Sequence, residues 1–203
     1  MSLRSFRFLS AVLGMLLLAA CASSPVVLPQ RVEPVAIRQT YGDYGRMALA
    51  LNFYEPFLDG VRQAMAKDKE VKSKPEMAKF MGDYFAHFDE MTFTGLLVGV
   101  LKKHFTPDEA SRIGSFLDTP VGEEGLKVAV ALYNSDKGKG AKPTIPPDVD
   151  LAWGSFMKQP AGKKFIDELP KVSTDFRQVL DEHSRKVAKE MTANAAKRPA
   201  APK

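Results

Sequence analysis

The sequence predicts an all-α fold, a small helical bundle containing two copies of a unit made of a helix, a proline corner and a second helix, flanked by disordered ends. Three observations carry that expectation. Apolar residues recur at alternating spacings of three and four, which places them on one face of a helix. A 16-residue frame containing Pro-x-Gly occurs twice, 40 residues apart. The body, residues 41–191, has one domain's length and can bury a core without disulfides or metals.

In the first segment Tyr44, Met47, Leu51, Tyr54, Leu58, Val61 and Met65 form the apolar stripe. Pro56 lies inside it, and a proline removes a backbone hydrogen bond and clashes with the preceding turn, so a kink or two shorter helices are expected. A methionine and aromatic stripe at this spacing reads as core. The polar stretch 67–75 ends this segment. A second helical region begins near Pro75 and Glu76, with Met77, Phe80, Tyr84, Phe85 and Phe88 facing inward. A break is expected around residues 92–94, after which Leu96, Leu97, Val100, Leu101 and His104 continue the pattern. Gly95 and Gly99 are spaced to let another helix approach closely; the apolar stretch is too short to span a bilayer.

Residues 107–122 read PDEASRIGSFLDTPVG and residues 147–162 read PDVDLAWGSFMKQPAG, identical at seven of sixteen positions without a gap. Two copies of one supersecondary unit explain this frame better than chance does. In the first copy Thr106 suits an N-cap, Pro107 the first helical position, and Glu109 completes a capping box. The helix should stop near Asp118, because Pro120 disfavours helical geometry in Thr119. Thr119 and Pro120 then cap and start the next helix, Phe116 plugs the corner, and Gly122 leaves room for a neighbour. Phe156, Gln159, Pro160 and Gly162 take those roles in the second copy, with Trp153 adding bulk one turn earlier. A Gly-, Lys- and Pro-rich loop, 134–146, separates the copies. The final helix turns Phe165, Leu169, Val172, Phe176, Leu180 and Val187 inward, with a kink expected at Pro170.

Residues 87–125, HFDEMTFTGLLVGVLKKHFTPDEASRIGSFLDTPVGEEG, resemble the core of domain of unknown function family 2059, found in exported bacterial proteins. The matching features are Phe105, the helix start Thr106-Pro107-Asp108-Glu109, and the corner formed by Phe116, Pro120 and Gly122. Members commonly place a tyrosine where this chain has Leu117. The resemblance covers about a fifth of the chain. It implies a helical bundle and a cell-envelope location, and the family has no assigned activity to carry over.

The two ends read differently from the body. Arg4 and Arg7 precede an apolar run from Phe8 to Ala20, about 13 residues, which is signal-peptide architecture and shorter than the roughly 20 that a membrane-spanning helix needs. Leu18-Ala19-Ala20-Cys21 resembles the bacterial lipobox, so 1–20 is expected to be a cleaved signal peptide. The resemblance implies a diacylglycerol thioether and an acylated amino group on Cys21, the one cysteine in the chain. Several acyl chains make a stable membrane anchor. Ala22 after the cysteine resembles outer-membrane sorting, which would place the body in the periplasm. Residues 21–40 carry the lipidated cysteine, Pro25, Pro29 and Pro34 and read as an extended tether. Residues 192–203, rich in Ala, Pro and Lys, are expected to be disordered.

The basic pI of about 9.2 resides in these ends. Removing their charges from the formal +5 leaves 41–191 at −1, which gives no support to an electrostatic nucleic-acid interface on the body. No catalytic set, metal site or cofactor is expected. His87, His104 and His183 lack ligand spacing, and Asp83 with His87 is better read as a solvated pair on one helix face. Ser115 and Ser155 recur in the repeat but lack the nucleophile-elbow glycines. Glu123-Glu124 and Asp181-Glu182 are adjacent, not convergent. The functional expectation is a non-enzymatic envelope lipoprotein, held to the membrane by the lipid on Cys21, whose body binds another envelope protein. The alternatives are a carrier or sensor of apolar or lipid ligands, motivated by nine methionines and thirteen phenylalanines, and a cell-wall enzyme.

Overall fold

The computed structural model describes residues 31–136, 138 and 141–196; the expected signal peptide and residues 21–30, half of the expected tether, lie outside them. The described chain is all-helical. In order it forms α1 (Pro34–Leu51), α2 (Tyr54–Lys67), the short α3 (Lys69–Ser73), α4 (Pro75–Phe85), a 3-10 turn (Ala86–Phe88), α5 (Glu90–His104), α6 (Pro107–Leu117), α7 (Pro120–Asp136), α8 (Pro147–Phe156) and α9 (Pro160–Ala196).

One core joins α1, α5, α6, α8 and α9 through Met47, Leu101, Ile113, Trp153 and Phe165, each 0–1 % exposed. The stripe along the first segment is buried as the periodicity requires, but it belongs to two helices. The break falls at Asn52, a left-handed C-cap at φ 47°, ψ 45°, whose N–H reaches the Leu49 carbonyl. Pro56 sits instead in the first turn of α2, where no intrahelical N–H is lost.

Several sequence expectations shift for identifiable reasons. The break expected at 92–94 lies at Asp89, whose side chain accepts the Thr92 N–H at 2.7 Å and caps α5. Residues 69–73 within the expected polar stretch form α3. Phe80, expected inside, is 42 % exposed. Of the glycine pair, only Gly95 is closely approached, by the Tyr41 hydroxyl; Gly99 faces open space. α9 runs through Pro170 as one element.

The ends of the body also move. The tether was expected to continue through Thr40, yet α1 begins at Pro34 and Ile37 is completely buried. Ahead of it the Val32 N–H donates to Glu90 Oε2 at 2.7 Å, and Arg31 bridges Glu90 and Glu55 at 3.3 and 3.1 Å. Glu90 is 2 % exposed, so this buried carboxylate ties the chain to the body from residue 31. At the other end, helix replaces the expected disorder over 192–196, where the Thr192 hydroxyl donates to the Ala188 carbonyl. Gly42, at φ 58°, breaks the regular geometry within α1, and that sign of φ favours glycine.

The two repeat copies form matching corners. Thr106 and Glu109 complete the capping box, at 3.4 Å and 2.8 Å. Thr119 Oγ1 donates to the Phe116 carbonyl and accepts the Gly122 N–H at 3.1 Å, capping α7. In the second copy the Gln159 N–H reaches the Phe156 carbonyl at 2.9 Å, as the Thr119 N–H reaches Phe116 at 3.1 Å. A Cβ on Gly122 would lie 2.1 Å from the Phe116 carbonyl oxygen, and one on Gly162 2.0 Å from that of Phe156. Gly122→Ala and Gly162→Ala should therefore each cost about 2–3 kcal/mol in urea unfolding. Gly99→Ala, in an open helix interior, should gain up to about 1 kcal/mol. A common sign for all three would contradict the corner geometry.

Candidate functional site

The corners dock on each other and thereby place the candidate site. The Phe116 and Phe156 rings stack with centroids 4.0 Å apart and planes 11° from parallel. Trp153 meets Phe116 edge-on at 5.1 Å, and its indole N–H donates to the Val121 carbonyl at 2.9 Å. Gly125 makes this possible, because a Cβ there would fall 1.8 Å from the indole nitrogen. The corner residues Phe116, Pro120, Gly122, Phe156, Pro160 and Gly162 thus form one structural joint.

With α7 held against α8 in this way, its other face looks across a groove of about 620 Å³ toward α1 and the α1–α2 junction. Leu126, Val130 and Ala131 line the α7 wall, while Leu49, Phe53 and Pro56 line the opposite one. The rim carries both charges, and its ions are paired across or along it. Arg38 binds Asp118 at 2.8 Å, Arg31 binds Glu55 at 3.1 Å, and Lys127 binds Glu123 at 2.8 Å. The α7 residues on the groove, from Glu123 to Asn134, extend over about three turns, roughly 16 Å.

The titratable residues considered for catalysis do not converge. Asp83 pairs with Lys79 at 2.7 Å, and the His87 carbonyl faces His183 Nε2 at 3.3 Å. Ser115 Oγ accepts from Arg46 at 2.9 Å, and Ser155 is exposed on α8. Glu123 and Glu124 share Lys127, while Asp181 pairs with Arg185 and Glu182 accepts from Gln178.

One cluster escaped the sequence reading. His104, the last residue of α5, has Nδ1 2.9 Å from Glu168 Oε2 and Nε2 2.9 Å from Asp175 Oδ2, both on α9. With a carboxylate on each ring nitrogen, neither nitrogen is left to exchange a proton with a substrate. The arrangement serves as a clamp between α5 and α9, at a helix C-terminus where positive charge is favoured. His104 sits 64 and 71 residues from its partners, so no local motif announces it.

Two carboxyls on these contacts have displaced titrations. The Lys171 ammonium, and next the His104 ring, hold Glu168 below the ordinary glutamate range. Glu109 is held low by the Lys164 ammonium at 2.7 Å and by the Thr106 N–H. Both groups release protons more readily folded than unfolded, so the stability they contribute is present above the ordinary glutamate pKa and is lost as pH falls through their folded values. Urea midpoints measured from pH 7 to pH 3 should therefore fall less steeply for Glu109→Gln with Glu168→Gln than for the parent chain; parallel curves would refute the assignment.

No family model matches the chain, and comparison with curated proteins and with solved structures finds no match.

Proposed function

We propose that this chain is a lipid-anchored module of the bacterial cell envelope whose helical body binds another envelope protein through the groove along α7. The observation that carries the reading is the groove itself, with apolar walls, a rim of mixed charge and a length of three helical turns. Those features suit an amphipathic helix laid apolar face down, with anchors at i, i+3, i+4 and i+7. Residues 123, 126, 127, 130, 131 and 134 present that same periodicity on the α7 side.

The anchor belongs to the proposal on sequence grounds: the Arg4 and Arg7 n-region, the apolar run and Leu18-Ala19-Ala20-Cys21. Outer-membrane attachment facing the periplasm enters the proposal on the resemblance of Ala22 to outer-membrane sorting, and kinship with family 2059 on the resemblance of residues 87–125. Because the chain is tied to Glu90 from residue 31, the span from Cys21 to the body is nine intervening residues, reaching roughly 30 Å if extended. Arg31 and Pro34 also line the groove, so such an anchor would hold the groove near the lipid surface. The absence of a convergent catalytic set among the described residues favours binding over cell-wall chemistry. The near-neutral body disfavours nucleic acid as the partner.

Incorporating a photo-crosslinking residue at Val130 should capture one defined envelope protein in cells. The same residue at Lys163, exposed on α9 and outside the groove, should not. Cys21→Ala should reduce the yield from Val130 by about tenfold or more, since anchoring raises the local concentration of the partners. Equal capture from both positions, or none from Val130, would overturn the proposal.

A further inference from the structure

The ions on the rim of the α7 groove are committed to partners. Seven charged side chains line it. The three ion pairs that cross or follow the rim account for six of them, and the seventh, Asp59, pairs with Arg62 at 2.7 Å. A charged occupant meets only ions that already have a counter-charge, whereas an uncharged apolar one competes with none of them. Between the rims, Leu49, Pro56, Val130 and Ala131 are only half-buried, so apolar surface is left to cover.

The chain itself carries a segment of that chemistry next to the groove. The described residues begin at Arg31, which lines the groove. The sequence leading to it, 22–30, contains no charged side chain, and residues 25–29 read Pro-Val-Val-Leu-Pro. A proline opposes helical geometry in the residue before it, so a stretch closed by prolines at both ends favours an extended chain. Five extended residues span roughly 16 Å. The groove has the same length along α7, roughly 16 Å. Only Gln30 separates Pro29 from Arg31, and so short a link gives an effective concentration on the order of millimolar. A weak apolar contact is then enough to keep the segment in place.

We propose that residues 25–29 lie in the α7 groove as a strap, with Val26, Val27 and Leu28 against its apolar walls, and that a partner must displace the strap to bind. As a regulation of that surface, the inference rests on the groove being a binding site. The test uses the full chain carrying Cys21→Ala, purified without any partner, with Val27→Cys and Val130→Cys, exposed to glutathione disulfide. An intrachain disulfide should form at least about fivefold faster than when Val27→Cys is combined with Lys163→Cys, on α9 outside the groove. Adding Val26→Ser and Leu28→Ser leaves the reach of position 27 unchanged and removes apolar contact, so it should slow closure by about fivefold or more. Helical circular dichroism confirms that each variant is folded. Equal rates with and without the two serine substitutions, equal rates from positions 130 and 163, or no intrachain disulfide would overturn the strap. A disulfide joining two chains would assign the groove to the segment of a second copy, and would overturn it as well. The disulfide needs no partner, so the two readings fail separately: capture from Val130 in cells with equal disulfide rates removes the strap alone, and a fast disulfide without capture removes the partner alone.

Discussion

The joint between the two repeat corners is the contact on which the rest of the architecture depends. Each corner needs a phenylalanine in the last turn of a helix, its carbonyl left pointing at the next helix, and each needs a glycine where that helix passes it. Only then can Phe116 and Phe156 lie face to face at 4.0 Å, with Trp153 closing the edge. Aromatic pairs of this kind add about 0.5–1.5 kcal/mol beyond their buried area. The geometric consequence matters more than that energy. It directs α7 along α8 and sends α9 back across α5 and α6, so one face of α7 is left looking at α1 across open space.

The groove is therefore a product of how the helices divide the core between them. The main core is closed by α1, α5, α6, α8 and α9 together with Tyr54 and Leu58 of α2. α7 joins it along most of its length, through Leu126, Val128, Ala129 and Leu132 and the Trp153 contacts at Val121 and Gly125. The 54–88 segment has its own small methionine-containing core. Surfaces beside such secondary packing are where a fold can admit a partner without disturbing its centre. Charge follows a similar division, with the positive excess in the terminal segments and the body close to neutral.

Much of this was legible in the sequence, and what was legible was local. Caps were readable because Thr106, Glu109 and Thr119 act within three or four residues of themselves. The apolar stripes were readable because burial follows the helical period, as Phe165, Leu169, Val172 and Phe176 show at 0–1 % exposure. The corner phenylalanines and glycines were visible through repetition, but that the copies stack on each other was not, since a repeat encodes the unit and not its docking. His104 eluded the reading for the same reason: its partners come from a helix 64 residues away. Pro56 misled in position because a proline is as acceptable in a first turn as it is disruptive inside a helix. The early start of the body depended on Glu90, a buried carboxylate that only a distant backbone N–H and Arg31 make tolerable. The groove is a space between helices, and no residue pattern states a space.

The most direct test of the joint is a double-mutant cycle on Phe116→Ala and Phe156→Ala, followed by urea unfolding. If the two corners stabilise the bundle through each other, the double variant should be less destabilised than the sum of the single variants by about 1 kcal/mol or more. Additivity within roughly 0.3–0.5 kcal/mol would mean that the corners act independently, and the account of how α7 and its groove are positioned would fail.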